Sequence, residues 1–330
     1  MTTLWVLLHV AAQRDYELHS LDFSTAFLQG SLHEEIWLTT LVALAFTPST
    51  TDPSLFLCTD TSLPPFYVLV YVENLLSWLA DHSGQSIAHH HPDSVTQGAP
   101  GPSALRLLVL LATAHSSVYR PLALSFTFER ARRAEWHRKV HWDAAKRVLC
   151  YLCTTSGMGL VLGGRGPFVL TGLANVSWVD DSAIQRSSQG YTFSLGSGSV
   201  SWRSTRSSSV LSSSCEAEIY VGAMAAQELR WLTYLLTDLG EQPRLPPVLY
   251  VDNKAMIALC QEHRLEHRMK HIALRYFLAR ELQLRGHLPL AYVATRANTA
   301  DIFTKALPPG DHPRFSGVGC RFSPLAREFR

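Results

Sequence analysis

The sequence contains few charged residues and no long hydrophobic run. Asp, Glu, Lys and Arg make up 17% of the 330 residues, and the formal net charge at pH 7 is +2. A net charge this close to zero gives no bulk attraction to nucleic acids. Since no apolar run approaches the roughly 20 residues that cross a bilayer, the sequence predicts no membrane span and no membrane partner.

Cysteine and clustered metal ligands are also scarce. The six cysteines are scattered along the chain. Cys150 and Cys153 have CxxC spacing but no partner pair, so packing is favoured over a zinc site. His89–His91 form a short tract without a second ligand pair, which argues against a structural zinc site there as well. With no signal peptide recognised, reduced thiols predict an intracellular protein, in the cytoplasm or the nucleus.

Hydrophobic periodicity divides the chain into two structured parts. The first predicts a helix over residues 4–14 and strands over Glu17–Phe23 and Phe66–Val72. Residues 81–103 are polar and rich in His, Gly and Pro, which is typical of a linker. A helical pattern returns over His137–Leu152.

Residues 167–310 are typical of a complete small α/β domain. The predicted strands are Phe168–Trp178, Gly190–Leu195, Ser199–Trp202, Pro247–Val251 and Leu288–Val293. The predicted helices are Ser214–Leu239, one from Asn253, His271–Arg285 and a short one from Thr299. Ser213 and Glu216 have capping-box spacing at the start of the long helix, and Gly240 is its expected C-terminal stop.

Several acids lie at the ends of these predicted elements. Asp252 ends a strand, Glu216 and Glu218 lie in the first turn of the long helix, and Asp301 opens the last helix. Oxygen ligands from several rigid elements suit a hard divalent cation. Each acid taken alone is equally compatible with a helix cap or a favourable helix-dipole contact.

Five segments, in order, carry a resemblance to a known family. They read HWDAAKRVLCYLCTTSGMGLVL, SSSCEAEIYVGAMAAQELRWL, VLYVDNKAMIAL, EHRMKHIALRYFLARE and YVATRANTADIFTKALP. Together they closely resemble the RNase H region of copia-type retrotransposon polyproteins, over about residues 137–310. The resemblance implies an α/β fold, a mixed five-stranded sheet flanked by helices. It also implies cleavage of the RNA strand of an RNA–DNA hybrid by a two-metal mechanism with Mg²⁺ or Mn²⁺.

The family's metal-binding acids transfer to this chain at three positions. They fall on Glu216, with Glu218 as the second choice, on Asp252 and on Asp301. The acid of the first strand falls on Asn175 in LANVSW, where this chain departs from the family. An amide oxygen can bind a metal but lacks the negative charge that offsets two divalent cations. Asp180 and Asp181 are expected in the following turn, so a folded domain with impaired or absent cleavage is predicted.

Thr3 to Leu38 resembles the reverse-transcriptase palm of the same elements. Asp22 falls on the family's first catalytic Asp. In FYVLVYVEN, Glu73 and Asn74 stand where the family's strand turn reads YVDD. Because Glu73 is one methylene too long and Asn74 is uncharged, no polymerase activity is expected.

A long palm stretch is absent around Leu38 to Val42, and the chain leaves the family pattern again from about Ala80. The sequence therefore predicts four parts, namely an incomplete palm over 1–80, a linker or scrambled region over 81–136, the RNase H-like domain with its leading helix over 137–310, and a tail over 311–330. The interrupted palm predicts a poorly packed, aggregation-prone N-terminal half.

The expected partners are RNA–DNA hybrid or another nucleic acid, and the proteins of an intact element. The alternative to an impaired enzyme is a module that binds hybrid without cutting it. Three tryptophans, Trp178, Trp202 and Trp231, are interpreted as core anchors rather than base-stacking platforms.

Overall fold

A computed structural model gives the fold of this chain. It describes residues 2–14, 16–22, 41–43, 45–58, 65–71, 74–79, 158–160, 162–163, 168–181, 185–196, 198–241, 243, 245–261, 278–305, 307 and 322–324. The chain forms two compact units. Of the helices in these ranges, none is both long and apolar enough to cross a bilayer.

The first unit combines residues 1–111 with 234–241. Its elements are α1 (Thr2–Arg14), β1 (Glu17–Asp22), β2 (Phe46–Pro48), β3 (Leu55–Cys58), β4 (Phe66–Tyr71) and β5 (Asn74–Leu79). The strands form an antiparallel sheet in the order β1-β5-β4-β3-β2. Leu41, Phe46, Phe56 and Val68 form a buried cluster on it.

The second unit combines residues 112–233 with 242–330. Its strands are β6 (Met158–Leu160), β7 (Leu170–Asp181), β8 (Arg186–Leu195), β9 (Gly198–Arg206), β10 (Val248–Val251), β11 (Leu290–Tyr292) and β12 (Phe322–Pro324). The helices described in the C-terminal half are α2 (Ser214–Asp238), α3 (Lys254–Gln261), α4 (Leu278–Leu284) and the 3₁₀ turns Thr295–Ala297 and Thr299–Phe303. The residues of α2 from Tyr234 onward belong to the first unit.

The main sheet of this unit has the order β11-β10-β7-β8-β9. Strands β7, β8 and β9 are antiparallel neighbours, whereas β10 is parallel to both β7 and β11. The mixed five-stranded sheet predicted from the sequence is therefore confirmed. A separate two-stranded pair joins β6 to β12, so part of the predicted tail forms a strand.

Helix α2 begins and ends where its sequence signals predict. The Ser213 hydroxyl accepts a hydrogen bond from the Glu216 amide at 3.1 Å. At the other end Gly240 has φ +70°, and the amides of Gly240 and Glu241 donate to the carbonyls of Thr237 and Leu236. This pair of bonds is a Schellman motif, which satisfies carbonyls that the helix end leaves free.

Gly190 on β8 sets the distance between the sheet and the 3₁₀ turn Thr299–Phe303. A Cβ atom at this glycine would lie 2.5 Å from the Phe303 Cβ and 3.2 Å from the Arg203 carbonyl oxygen. Gly190 is also the register partner of Asn175 on β7. The missing side chain therefore lets the turn pack directly over the strand position that carries Asn175.

Several predictions fall on residues that the structure does not describe. They are Glu73, the linker 81–103, the helix over His137–Leu152 and the first part of the helix predicted from His271. The expected aggregation of the N-terminal half and the four domain boundaries stay predictions. Asp180 and Asp181 lie within β7, at its end, rather than in the turn where the sequence predicted them.

Candidate active site

Asn175 lies in β7 with 1% of its surface exposed, and its amide makes two short hydrogen bonds. Its Nδ2 donates to the Asp301 Oδ1 at 2.6 Å and to the Thr304 Oγ1 at 2.5 Å. An ionised carboxylate only accepts hydrogen bonds, so the amide must turn its NH₂ group, not its oxygen, towards Asp301. The residue that replaces the family's first acid therefore acts as a donor to another acid of the site.

The 3₁₀ turn Thr299–Phe303 holds Asp301 in place through Asn298. The Asn298 Oδ1 accepts from the Ala300 amide at 3.2 Å, and its Nδ2 donates to the Ala174 carbonyl at 2.9 Å. Asn298 is fully buried. These bonds tie the turn to the strand residue that precedes Asn175, which fixes the two site residues relative to each other.

Asp301 also forms an ion pair with Lys305. Its Nζ lies 2.8 Å from the Asp301 Oδ1, four residues along the chain. Burial raises the pKa of the Asp301 carboxyl, and the Lys305 ammonium opposes that rise. One carboxylate oxygen thus receives both the Asn175 amide and the Lys305 ammonium.

Glu218 lies on α2 and is in a different environment. It is 6% exposed, and its Oε2 has no hydrogen-bond partner among the described residues. Burial raises its pKa to about 8, the charge of Asp252 adds to the rise, and Lys305 opposes it. The Asp301 charge also contributes to the rise, so Glu218, Asp252 and Asp301 are close enough to interact electrostatically.

Glu216, the first choice for the helix acid, faces a different set of atoms. Its Oε2 accepts from the Ser212 amide at 2.7 Å and from the Ser212 hydroxyl at 2.6 Å. These are the contacts of a helix-capping acid. Of the two helix acids that the sequence offers, Glu218 is therefore the one near Asp252 and Asp301, while a metal-binding role for either acid stays a prediction.

Asp252 follows β10 directly and is half-buried. The next residue, Asn253, caps α3 by accepting from the Met256 amide at 3.0 Å. This cap starts the helix immediately after the strand, which places Asp252 in the connection between them. The predicted position of Asp252 at a strand tip is thus observed, while a metal-binding role for it stays a prediction.

The described residues fit a two-metal centre poorly. Within the described ranges, no three His, Cys, Asp or Glu side chains come close enough to hold a metal ion. The Asp301 Oδ1 already accepts from two N–H donors, and the Asn175 side chain turns its nitrogen rather than its oxygen towards this carboxylate. The negative charge available to a divalent cation is consequently lower than three or four free carboxylates would supply.

The palm-like positions come together only in part. The backbone register of β1 with β5 places Asp22 opposite Asn74, and Asn74 is also the register partner of Tyr71 at the end of β4. Asn74, the last residue of the segment that replaces YVDD, therefore lies opposite the strand end that carries Asp22. Glu73 is outside the described residues.

Two site residues escaped the sequence analysis. Thr304 and Lys305 are not among the site residues that the sequence predicts. The i,i+4 spacing of Asp301 and Lys305 was the signal that could have indicated an ion pair. Trp178 is a correction: it is 48% exposed and is not a core anchor.

Comparisons with known proteins give the wider context. No protein-family model matches the chain. The retrovirus-related Pol polyprotein from transposon RE2 of Arabidopsis thaliana is 28% identical over 93% of this chain and 28% of its own length. The corresponding polyprotein from transposon RE1 of the same plant is 36% identical over 51% of this chain and 11% of its own length.

The homologues of this chain are retrovirus-related Pol polyproteins of copia-type transposons. This confirms the resemblance noted in the sequence. The chain spans between a tenth and a third of the length of these two Pol polyproteins.

The structural comparison is weaker. RNase H1 of the LC11 type, isolated from compost, matches with a TM-score of 0.32 and 12% identity, covering 42% of this chain and 93% of that chain. The description of the fold therefore rests on the strand order and the mixed strand directions given above.

Proposed function

We propose that this chain is a retrotransposon-derived fragment of the reverse transcriptase and RNase H type. In this proposal its RNase H-type part binds RNA–DNA hybrid and cleaves it poorly, and its palm-type part does not polymerise. The homology to Pol polyproteins supports the origin. The state of the site supports the loss of activity.

One observation carries the proposal, namely the hydrogen bond from the Asn175 amide to Asp301. Two-metal cleavage needs carboxylates that neutralise two divalent cations and hold them in fixed geometry. In this chain one of those carboxylates is an amide, and a second is paired with Lys305. Glu218 further favours its protonated form, because burial raises its pKa to about 8.

The first test is cleavage of a labelled RNA–DNA hybrid by the full chain in Mg²⁺ and in Mn²⁺. We expect no more than a trace of cleavage by the unaltered chain and a clear gain in Asn175→Asp. Asn253→Asp is the matched control. It also adds a carboxylate beside Asp252, while Asp retains the cap of α3.

Efficient cleavage by the unaltered chain would overturn the proposed loss of activity. No gain in Asn175→Asp, with the protein folded by circular dichroism, would show that one missing charge is not the cause. A gain in both variants would show that any added charge near Asp252 is sufficient.

A second candidate function is hybrid binding without any cleavage. The observation in its favour is that Asn175, Thr304 and Lys305 hold Asp301 through direct hydrogen bonds or an ion pair, which need no cation. This candidate predicts the same hybrid affinity in EDTA as in Mg²⁺. A loss of affinity in EDTA would count against it.

A further inference from the structure

Trp178 is an exposed aromatic side chain at the end of the sheet that carries Asn175. Its exposure of 48% is unusual for a tryptophan in a strand. The indole Nε1 donates to the Leu211 carbonyl at 3.1 Å. This bond holds one edge of the ring, so the exposed part of the ring is fixed in orientation before any ligand arrives.

A β-bulge produces this exposure. The register between β7 and β8 shifts between Ser177 and Asp181. Val179, a β-branched residue, has φ +49°, and its amide donates to the Ser187 hydroxyl at 3.2 Å. Bulges redirect side chains and often lie beside functional sites, and a β-branched residue in the left-handed region is strained.

The segment that follows the bulge is cationic and rich in hydroxyl groups. Residues 182–215 contain three arginines, fourteen serines and no Asp, Glu or Lys; Asp180 and Asp181 precede this segment, and Glu216, which accepts from the Ser212 hydroxyl, follows it. The arginines are Arg186, Arg203 and Arg206. A segment with this composition complements a polyanion and can donate many hydrogen bonds to phosphate oxygens.

Two of these arginines lie at the same end of the sheet as Trp178. Arg186 donates to the Ser207 carbonyl at 2.9 Å, in the loop whose Leu211 carbonyl accepts from Trp178. Arg206 is the register partner of Ser188, which is in turn the partner of Ser177. The aromatic ring and the two cations are therefore arranged around one short loop, Ser207–Ser212.

We propose that Trp178, Arg186, Arg206 and the loop Ser207–Ser212 form a surface that binds one strand of a nucleic acid. A base stacks on the indole of Trp178, and the neighbouring phosphates are bound by the arginines and serines. This inference rests on the proposed function for the class of partner and adds the place of contact. Among the described residues of this surface, Val210 is the only exposed large apolar side chain besides Trp178, so their patch is too small for a typical protein interface.

The test measures binding of two fluorescein-labelled probes to the full chain, an RNA–DNA hybrid with a single-stranded overhang and a single-stranded oligodeoxythymidine. Trp178→Ala should weaken binding of both by about ten-fold, because stacking on an aromatic ring contributes roughly that much per base. Trp178→Phe loses the hydrogen bond to the Leu211 carbonyl but keeps an aromatic face, so it should retain most of the affinity of the unaltered chain. Tyr234→Ala removes an aromatic residue that is 56% exposed and should change nothing.

The salt dependence of the affinity in an Arg186 variant is a second measurement. Arg186→Gln should reduce the dependence of affinity on salt concentration by about one unit of slope, as expected for one lost phosphate contact. Circular dichroism of each variant checks that it is folded. Trp178→Phe should pass this check even if Trp178→Ala does not.

The outcomes separate this inference from the proposed function. Hybrid binding by the unaltered chain with no effect of Trp178→Ala would overturn the surface and leave the proposed function standing. Binding of single strands that depends on Trp178, without binding of hybrid, would support the surface and contradict the proposed function. If polyglutamate displaced the probes as readily as unlabelled oligonucleotide does, the surface would be a general anion site and base stacking would be overturned. If neither probe bound, both proposals would be overturned.

Discussion

The two ends of helix α2 carry acids in opposite environments. At its start, Glu218 is buried beside Asp252 and Asp301, and burial raises its pKa to about 8. At its end, burial acts to raise the pKa of Asp238, but hydrogen bonds from Ser49, Thr51 and Thr50 outweigh this and lower it. The comparison shows that donors, rather than burial alone, decide whether an acid supports the fold in its ionised form.

Asp238 and Glu218 also differ in the hydrogen-bond donors that surround them. Asp238 is surrounded by hydroxyl and amide donors from Ser49–Thr51, which is the environment of a structural acid. Glu218 has an oxygen without a partner among the described residues, and its neighbours are acids and one lysine. Strongly perturbed pKa values of this kind are commoner at functional sites than among structural acids.

The largest expected effect is the contribution of Glu218, at the start of α2, to the pH dependence of the free energy of unfolding. The folded-state pKa of Glu218, about 8, lies above its ordinary value of 4.5, so the folded chain binds more protons than the unfolded chain between these values. Its contribution to stability is complete below about pH 4.5 and is lost as the pH rises to about 8. At roughly 1.4 kcal/mol per pKa unit, the loss amounts to about 5 kcal/mol.

Urea unfolding in EDTA-containing buffers at several pH values measures this loss. Glu218→Gln should flatten the dependence, whereas Glu216→Gln should leave it in place. If the two variants gave the same curve, the contrast between these two acids would be wrong.

A smaller effect is expected at the other end of α2. The Ser49 hydroxyl donates to Asp238 at 2.5 Å and accepts from the amides of Thr51 and Asp52. Ser49→Ala leaves these buried groups with fewer partners and should destabilise the first unit by about 2 kcal/mol. Hydrogen exchange of residues 45–58, followed by mass spectrometry, measures this locally.

Thr50→Ala is the matched control for Ser49. Thr50 contacts the same carboxylate from an exposed position at 3.2–3.3 Å, so its removal should have little effect. Equal effects of the two substitutions would mean that the buried hydroxyl has no special part in holding Asp238.

The smallest effect is expected for the ion pair at the C-terminal cap of α2. Arg14 binds Glu241 through two N–H groups at 2.8 and 2.6 Å, but its side chain is 48% exposed. Arg14→Gln should therefore lower the free energy of unfolding by about 1 kcal/mol or less. Arg285→Gln, which removes a more exposed pair with Glu281, should have a still smaller effect. A loss for Arg14→Gln that did not diminish at high salt would contradict an electrostatic origin.

The sequence predicted the five strands of the main sheet in the second unit and both ends of α2, because capping and stop signals are local, but it did not predict the pair β6 and β12. It could not choose between Glu216 and Glu218 by resemblance alone. Residues two apart on a helix point roughly 200° apart, so only the packing of α2 decides which of them faces Asp252 and Asp301. The capping spacing of Ser213 and Glu216 was the local sign that Glu216 had another partner.

Trp178 could not be predicted for a different reason. A regular strand alternates its side chains between two faces, and the alternation of β7 suggested a buried tryptophan. The register shift between β7 and β8 after Ser177 breaks that alternation, and a register is a property of two paired strands that the sequence of β7 alone does not show. Likewise, the contact between Asn175 and Asp301 joins residues 126 positions apart, which no local pattern encodes.

Gly190 has a consequence for how copies of this sequence change over generations. An amide of nearly the same size can replace a carboxylate at position 175 without moving the backbone, whereas any side chain at position 190 must displace Phe303. Copies selected only for a folded product will therefore vary at position 175 and keep glycine at 190. Copies under no selection will vary at both positions. The number of substitutions at position 175 relative to position 190 therefore distinguishes copies under selection for folding from copies under none.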